Sequence, residues 1–173
     1  MVQQLYAVRR KPSLAKAILL AGLIAGTLDA LFAIAAFTIA TNSNPVIIFW
    51  YIASGMFHNE PAIKDMLTAD AGTQTMYAIA GLLLHYFIAY AFITLLFIGY
   101  PTIKKVLANN PVIALLYGIF VWLVMNYIVL PIAMNAKMPV YTFKTILGVL
   151  YLVIAIGIVG VVSASKYYKR KIR

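Results

Sequence analysis

The chain has 173 residues, of which 64% are hydrophobic and 10% charged, with a net charge of +10 and a mean hydropathy of +0.94. Those values exclude an ordinary soluble domain and leave room for a single membrane domain. The absence of cysteine excludes disulfides, thiolate catalysis and thiolate metal sites, and leaves the redox compartment unread.

In chain order, Arg9, Arg10, Lys11 and Lys16 lead into the first long apolar run, Ala17 to Ala40. A basic lead-in and the small-x-small tripeptide at Ala33 to Ala35 resemble a signal peptide, but the run is longer than a signal core and is expected to be retained. It contains Asp29, the only acid inside any long apolar run of the chain. A carboxylate at the centre of a bilayer-length helix costs several kcal/mol unless it is paired, hydrated or protonated. Gly22, Ala25, Gly26, Asp29, Ala33, Ala36 and Ala40 recur at three- and four-residue spacing. Such a stripe admits close backbone approach, so Asp29 is expected to face protein rather than lipid.

Asn42 to Pro45 end this helix with breaker residues. Residues 45–57 then form an apolar stretch too short to span, predicted as a re-entrant or interfacial helix with Trp50 and Tyr51 in the aromatic belt. Pro45 is placed at its start and Ser54-Gly55 at its end. Residues 58–75 read as a polar outer loop. The second span is Met76 to Gly99, with Ala78, Gly81, His85 and Ala89 on one face. The third is Val112 to Met134, with Gly118, Trp122, Asn126 and Val129 on one face and Pro131 expected to kink it. The fourth is Ile146 to Ala164, with Gly157, Gly160 and Ala164, followed by a basic tail over 165–173. Pro61, Pro101, Pro111 and Pro139 are assigned to loops. The predicted class is all-α: a polytopic membrane protein of four transmembrane helices with one short extra helix between the first two. No internal repeat is visible.

The basic residues are placed unevenly along this plan. Arg9, Arg10, Lys11, Lys16, Lys104, Lys105, Lys166, Lys169, Arg170, Lys171 and Arg173 fall on one side, that is 11 of the 14. Lys64, Lys137 and Lys144 fall on the other, with Glu60, Asp65 and Asp70. The positive-inside rule puts both termini in the cytoplasm of an inner-membrane protein. The basic rim is expected to meet anionic lipid headgroups, and nucleic-acid binding is not expected.

Counted at roughly 1.5 Å per residue from the span ends, Asp29, His85 and Asn126 share one depth near the midplane or slightly outside it. A carboxylate accepts from an imidazole N–H and an amide both donates and accepts, so the three can satisfy one another without water. They are either a proton or ion site or an interhelical clamp worth about 1 kcal/mol per bond. The short helix over Ser54 and Gly55 is expected to act as a lid. Tyr86 or Tyr90 would complete a narrow polar vestibule opening outward. His58, the only other histidine, lies in the outer loop, so neither a metal site nor a cofactor is expected.

Several of these segments carry a resemblance. Gly22 to Ala30 (GLIAGTLDA), Tyr51 to Gly55 (YIASG), Leu84 to Ala89 (LHYFIA), Tyr117 to Trp122, Met125-Asn126 and Pro131 resemble the YagU-like bacterial inner-membrane proteins across most of residues 20 to 135. Phe57-His58 departs from that pattern, where a glycine is expected. The resemblance implies a small four-helix membrane protein and the choice of Asp29, His85 and Asn126; it implies no established activity.

No phosphate loop, GxSxG or HExxH occurs, and a lipid-directed enzyme would lack its nucleophile and base. The expected functions are a proton-linked transporter or channel centred on Asp29, or an accessory subunit of a membrane complex in which Asp29 is a clamp. Four helices enclose little volume, so a homo-oligomer or a partner in a larger complex is expected in either case. The charge asymmetry makes one direct prediction. Cysteines placed at Lys105 and Asp70 will react with a membrane-impermeant reagent from opposite faces; reaction of both from outside would overturn the topology.

Overall fold

The computed structural model describes residues 13–55, 63–131 and 143–172, all helices and their connections, with no strand among them. Four helices are long and apolar enough to cross a membrane. The fold is that of a small multi-pass integral membrane protein.

Helix α1 runs Leu14–Thr41. Ser13 caps it by accepting from the Lys16 N–H at 3.2 Å, and Asn42 ends it in the left-handed region at φ 52°, a conformation asparagine tolerates well. The short α2 is Ile47–Ser54. It does not lie above the bundle. Its backbone at Phe49 rests on Gly81, its Trp50 indole N–H donates to the Gln74 carbonyl at 3.0 Å, and Ala53 is fully buried. Gly81 lies ten residues into the next long helix, roughly 15 Å along it, so α2 packs alongside that helix.

Residues 63–75 are not a loop. Ile63–Thr68 forms α3, and α4 runs Ala71–Val106, well beyond both predicted ends of the second span. The reason lies at Asp70, the N-cap of α4. Its carboxylate accepts from the Thr73 N–H at 3.0 Å and the Thr73 hydroxyl at 2.6 Å. Those bonds hold its carboxyl below the usual range and start the helix at a polar sequence that hydropathy overlooks. At the other end Pro101 lies inside α4, not in a loop. Proline has no N–H to give the Phe97 carbonyl; the Tyr168 hydroxyl supplies the donor instead, at 2.8 Å.

Helix α5 is Asn110–Val124, with Pro111 in its first turn, where a missing N–H costs nothing. It continues through a π-helical turn, Met125–Val129, to Pro131. Residues 132–134 of the predicted third span, with Pro61 and Pro139, lie outside the described residues. Helix α6 comprises Phe143–Leu152, a second π-helical turn Val153–Ile158, and Val159–Ile172. The predicted basic tail is therefore helical for most of its length. Nothing between Ala164 and Ile172 breaks a helix, and Ser165 is buried under a polar cluster. There Asn110 Nδ2 donates to Ser165 Oγ at 3.0 Å, while Tyr100 and Lys104 donate to Asn110 Oδ1.

The bundle is held where side chains are smallest. A methyl on Gly118 would meet the Val153 Cα at 2.5 Å, one on Gly157 would strike the Ala114 carbonyl, and one on Gly160 would meet Leu96. Gly22 and Gly26 receive the rings of Tyr90 and Tyr86, which sets α1 antiparallel to α4. Around these contacts Ile93, Leu96, Phe97, Ile113, Tyr117, Val121, Ile156 and Val161 form the core. It lies mainly in the half of the bundle that carries Lys104, Lys105 and Lys166. Outward faces present Leu23, Leu83, Phe87 and Ile98, as a lipid-facing surface requires.

These close contacts predict opposite outcomes for two alanines. Gly81→Ala will drive a methyl into the Phe49 backbone and lower the melting temperature in detergent, at a cost of about 1–3 kcal/mol. At Gly99 the nearest atom is Ile103 Cδ1, 3.5 Å from the added methyl, so Gly99→Ala will be neutral or gain up to about 1 kcal/mol of helix propensity. Thermal unfolding of both variants checks the pair.

Candidate functional site

In the other half of the bundle the helices diverge around a cavity of about 560 Å³. Asp29 enters it from α1, His85 from α4 and Asn126 from the π turn of α5; Thr145 and Tyr151 enter from α6 and Ile52 from α2. All three predicted polar residues thus line one space, each half-buried. The rest of the wall is mostly apolar, with Phe32, Leu84, Ile88, Trp122, Met125 and Leu152 prominent. Ala89, Val121 and Ile156 belong both to this wall and to the core, so they form its floor. Beyond them Ile93, Leu96 and Phe97 are 0% exposed.

The local chemistry differs from a closed Asp–His–Asn triad. His85 Nε2 lies 2.9 Å from the Gly26 carbonyl oxygen. A carbonyl only accepts, so Nε2 carries the proton and donates there. Asn126 Nδ2 donates to the Trp122 carbonyl at 2.9 Å, one turn back on its own helix. Asp29 stands within electrostatic reach of His85, yet among the described residues no hydrogen bond joins Asp29, His85 and Asn126. The clamp that the sequence suggests is instead a histidine-to-backbone bond between α4 and α1, and Asp29 is left facing the cavity.

Why Gly26 offers its carbonyl is legible in the packing. Without a side chain at Gly26, the Tyr86 ring and Ala89 come within 2.9 and 3.2 Å of where a methyl would sit, and α4 approaches closely enough for His85 to reach the backbone. The widened turn at Met125–Val129 has a local cause too. Pro131 cannot donate, and its ring would clash with the carbonyl four residues earlier in an α-helix. A π turn relieves that clash, and such turns recur at functional sites. The helix irregularity expected at Pro131 is thus placed in the turn before it, and it carries Asn126 into the cavity.

The expected lid and vestibule residues are placed differently. The Tyr86 hydroxyl pairs with Thr27 Oγ1 at 2.8 Å, and the Tyr90 hydroxyl donates to the Leu19 carbonyl at 3.1 Å. Both rings pack on α1, and neither lines the cavity. Ser54 donates to the Tyr51 carbonyl at 2.8 Å and, with Gly55, stays clear of the wall; Ile52 is the residue that α2 contributes. The space is wider and more apolar than a narrow polar vestibule.

Of the aromatic wall, the sequence reading placed only Trp122, on the face it shares with Asn126, and missed Phe32 and Tyr151. Phe32 and Tyr151 stack with ring centroids 5.1 Å apart, and Trp122, 7% exposed, lies against Gly148, whose added methyl would meet the indole Nε1 at 3.4 Å. The Trp122 N–H makes no hydrogen bond among the described residues. Phe32 falls three residues after Asp29, a spacing that could have signalled one shared face, as it did for Trp122 and Asn126. Among the described residues no three His, Asp or Glu side chains cluster. No family model matches the sequence, and neither a curated protein nor a solved structure matches it.

The hydrogen-bond pattern separates the three residues by their effect on stability. His85→Leu will lower the melting temperature in detergent by the equivalent of about 1 kcal/mol, as expected for one interhelical bond in membrane. His85→Gln, which keeps a donor, will recover part of it. Asp29→Leu will stay close to the parent protein because no bond depends on it. Loss of stability on Asp29→Leu equal to that on His85→Leu would restore the direct clamp.

Proposed function

We propose that this membrane protein is a proton-linked solute carrier, with Asp29 as its titrating group and the cavity as its binding site. The observation that carries the reading is the pairing of a solute-sized cavity with a carboxylate that no hydrogen bond among the described residues ties down. Ligand sites are commonly concave, mostly apolar spaces of ~300–1,000 Å³ with a few convergent polar groups. Ionisable residues inside membrane spans mark substrate or proton pathways by default. The cavity is blind, floored by Ala89, Val121 and Ile156, which favours a carrier over an open channel. On the positive-inside orientation its half of the bundle faces outward, with both termini in the cytoplasm of an inner membrane. The YagU-like motifs at residues 22–30 and 84–89 belong to the same proposal, because they contain Asp29 and His85.

A second reading, an accessory subunit, is favoured by the bonds from His85, Tyr86 and Tyr90 to α1, which make the α1–α4 pair a rigid scaffold. Proton flux separates the two. In reconstituted vesicles with an imposed pH gradient, the parent protein will dissipate the gradient several-fold faster than Asp29→Asn at equal protein content. Equal rates for both, with Asp29→Asn as stable as the parent, would favour the accessory subunit.

A further inference from the structure

We infer that the solute is a lipophilic monocation, held by Asp29 against the aromatic wall of Phe32, Tyr151 and Trp122. The inference rests on the carrier reading and names the chemical class of its ligand.

Charge is the first argument. Among the described residues that line the cavity, Asp29 is the only acid and no lysine or arginine is present. His85, the nearest group that could carry a positive charge, has its Nε2–H engaged by the Gly26 carbonyl, which leaves only Nδ1 to meet a ligand. Asn126 has already given one amide hydrogen to the Trp122 carbonyl. A cavity with a carboxylate, low-dielectric walls and no lysine or arginine on its described wall carries a negative potential while His85 is neutral. It repels anions, and it gives a neutral apolar solute no use for the carboxylate.

The walls make the second argument. Phe32 and Tyr151 present a stacked pair, and Trp122 presents an indole on another helix. Aromatic faces attract cations whose charge is spread over carbon, an interaction strongest with Trp and larger where water is excluded. A strongly hydrated cation such as an alkali ion would need several oxygen ligands, and the wall offers few; a lipophilic cation needs only one counter-charge and apolar surface. The volume of about 560 Å³ suits an organic cation rather than a bare ion.

Competition between the cation and a proton for one carboxylate follows directly. Among the described residues, the titratable groups facing Asp29 across the cavity are His85 from α4 and Tyr151 from α6; Asn126 and Thr145 do not titrate. Protonating Asp29 removes the counter-charge, and protonating His85 adds a repelling one. Both act in the same direction, so binding weakens as the pH falls.

The test uses methyltriphenylphosphonium and its neutral isostere 1,1,1-triphenylethane, which differ in the central atom and its charge. The chain has two tryptophans, so Trp50→Phe leaves Trp122, in the cavity wall, as the only indole fluorophore. Isothermal titration of the unmodified chain in detergent serves as the second measurement should Trp50→Phe fold poorly. The phosphonium will change Trp122 emission saturably, bind at least about tenfold more tightly than the isostere, and lose that advantage in Asp29→Asn. Equal affinity for the two probes, unaffected by Asp29→Asn, would overturn the cationic ligand while leaving a solute-binding cavity. Binding of neither probe by either method would overturn the cationic ligand too, and the carrier reading would then stand or fall on the vesicle proton flux alone.

Discussion

Backbone touching backbone at Gly118 and Gly157 is the contact on which the rest of this bundle depends. Lipid tails are as apolar as leucine, so helices in a membrane gain little from hiding hydrophobic side chains and must gain from close packing. Gly118 receives Val153 and Gly157 receives the Ala114 carbonyl, a reciprocal pair that locks α5 closely to α6. Gly160 extends that lock to Leu96 and Ile93 of α4. The half of the bundle so fastened contains Leu96, Phe97 and Ile93, none of them exposed. Past the lock the small residues give out on α5, where Trp122, Met125 and Asn126 follow, and the helices are held apart by their own side chains. Tight packing in one half and the cavity in the other are two results of one distribution of glycine.

The two π-helical turns fit into this arrangement. One, Val153–Ile158, contains Gly157 and lies at the lock; the other, Met125–Val129, lies beside the cavity. A widened turn shifts the face that a helix presents and leaves backbone groups out of register, which is costly in lipid unless they are satisfied. The amide of Asn126 answers the Trp122 carbonyl, as the hydroxyl of Tyr168 answers the Phe97 carbonyl opposite Pro101. The Tyr117 hydroxyl likewise donates to the Phe92 carbonyl at 2.6 Å. Several polar side chains in the spans are therefore committed to backbone repair, which narrows the set free to meet a ligand. Asp29, an acceptor with no donor assigned to it, is the one that stands apart.

Much of the architecture was legible in the sequence because a bilayer imposes its own period and length. Four apolar runs of spanning length give four spanning helices, and Asn42 to Pro45 stop the first where breakers should. Depth counting brought Asp29, His85 and Asn126 to one level, and the small-residue stripes placed all three toward the interior. What hydropathy could not show were the polar extensions: Asp70 and Thr73 start α4 before the apolar run begins, and Ser165 keeps α6 helical after its run ends. Pairing was also beyond reach. Whether His85 donates to a carboxylate or to the Gly26 backbone depends on an ångström of helix separation, set by a glycine whose role reads as packing alone. Trp122 was placed with Asn126, but Phe32 and Tyr151 were missed for a simpler reason: they are ordinary residues in a greasy span until the helices bring them around one space.

An intramembrane carboxylate with no hydrogen-bonded partner among the described residues demands an energetic account, and the cavity supplies one. Ionised in hydrocarbon, Asp29 would cost several kcal/mol; as a clamp it would need a donor, and the histidine beside it is engaged elsewhere. Besides the charge that His85 can carry beside it, the ways to offset that cost are a proton, water or a bound counter-charge, and the last two need the open volume that Asp29 faces. A protein needing only a scaffold could place Asn or Leu at this position and fill the space with side chains, gaining packing on both counts. Retaining both the acid and the void sets aside stability that the fold could otherwise have, and the cost is intelligible when the void has an occupant. On the carrier reading, the occupant and the proton alternate at one oxygen pair, while Ala89, Val121 and Ile156 close the way inward. Passage then requires the floor to open.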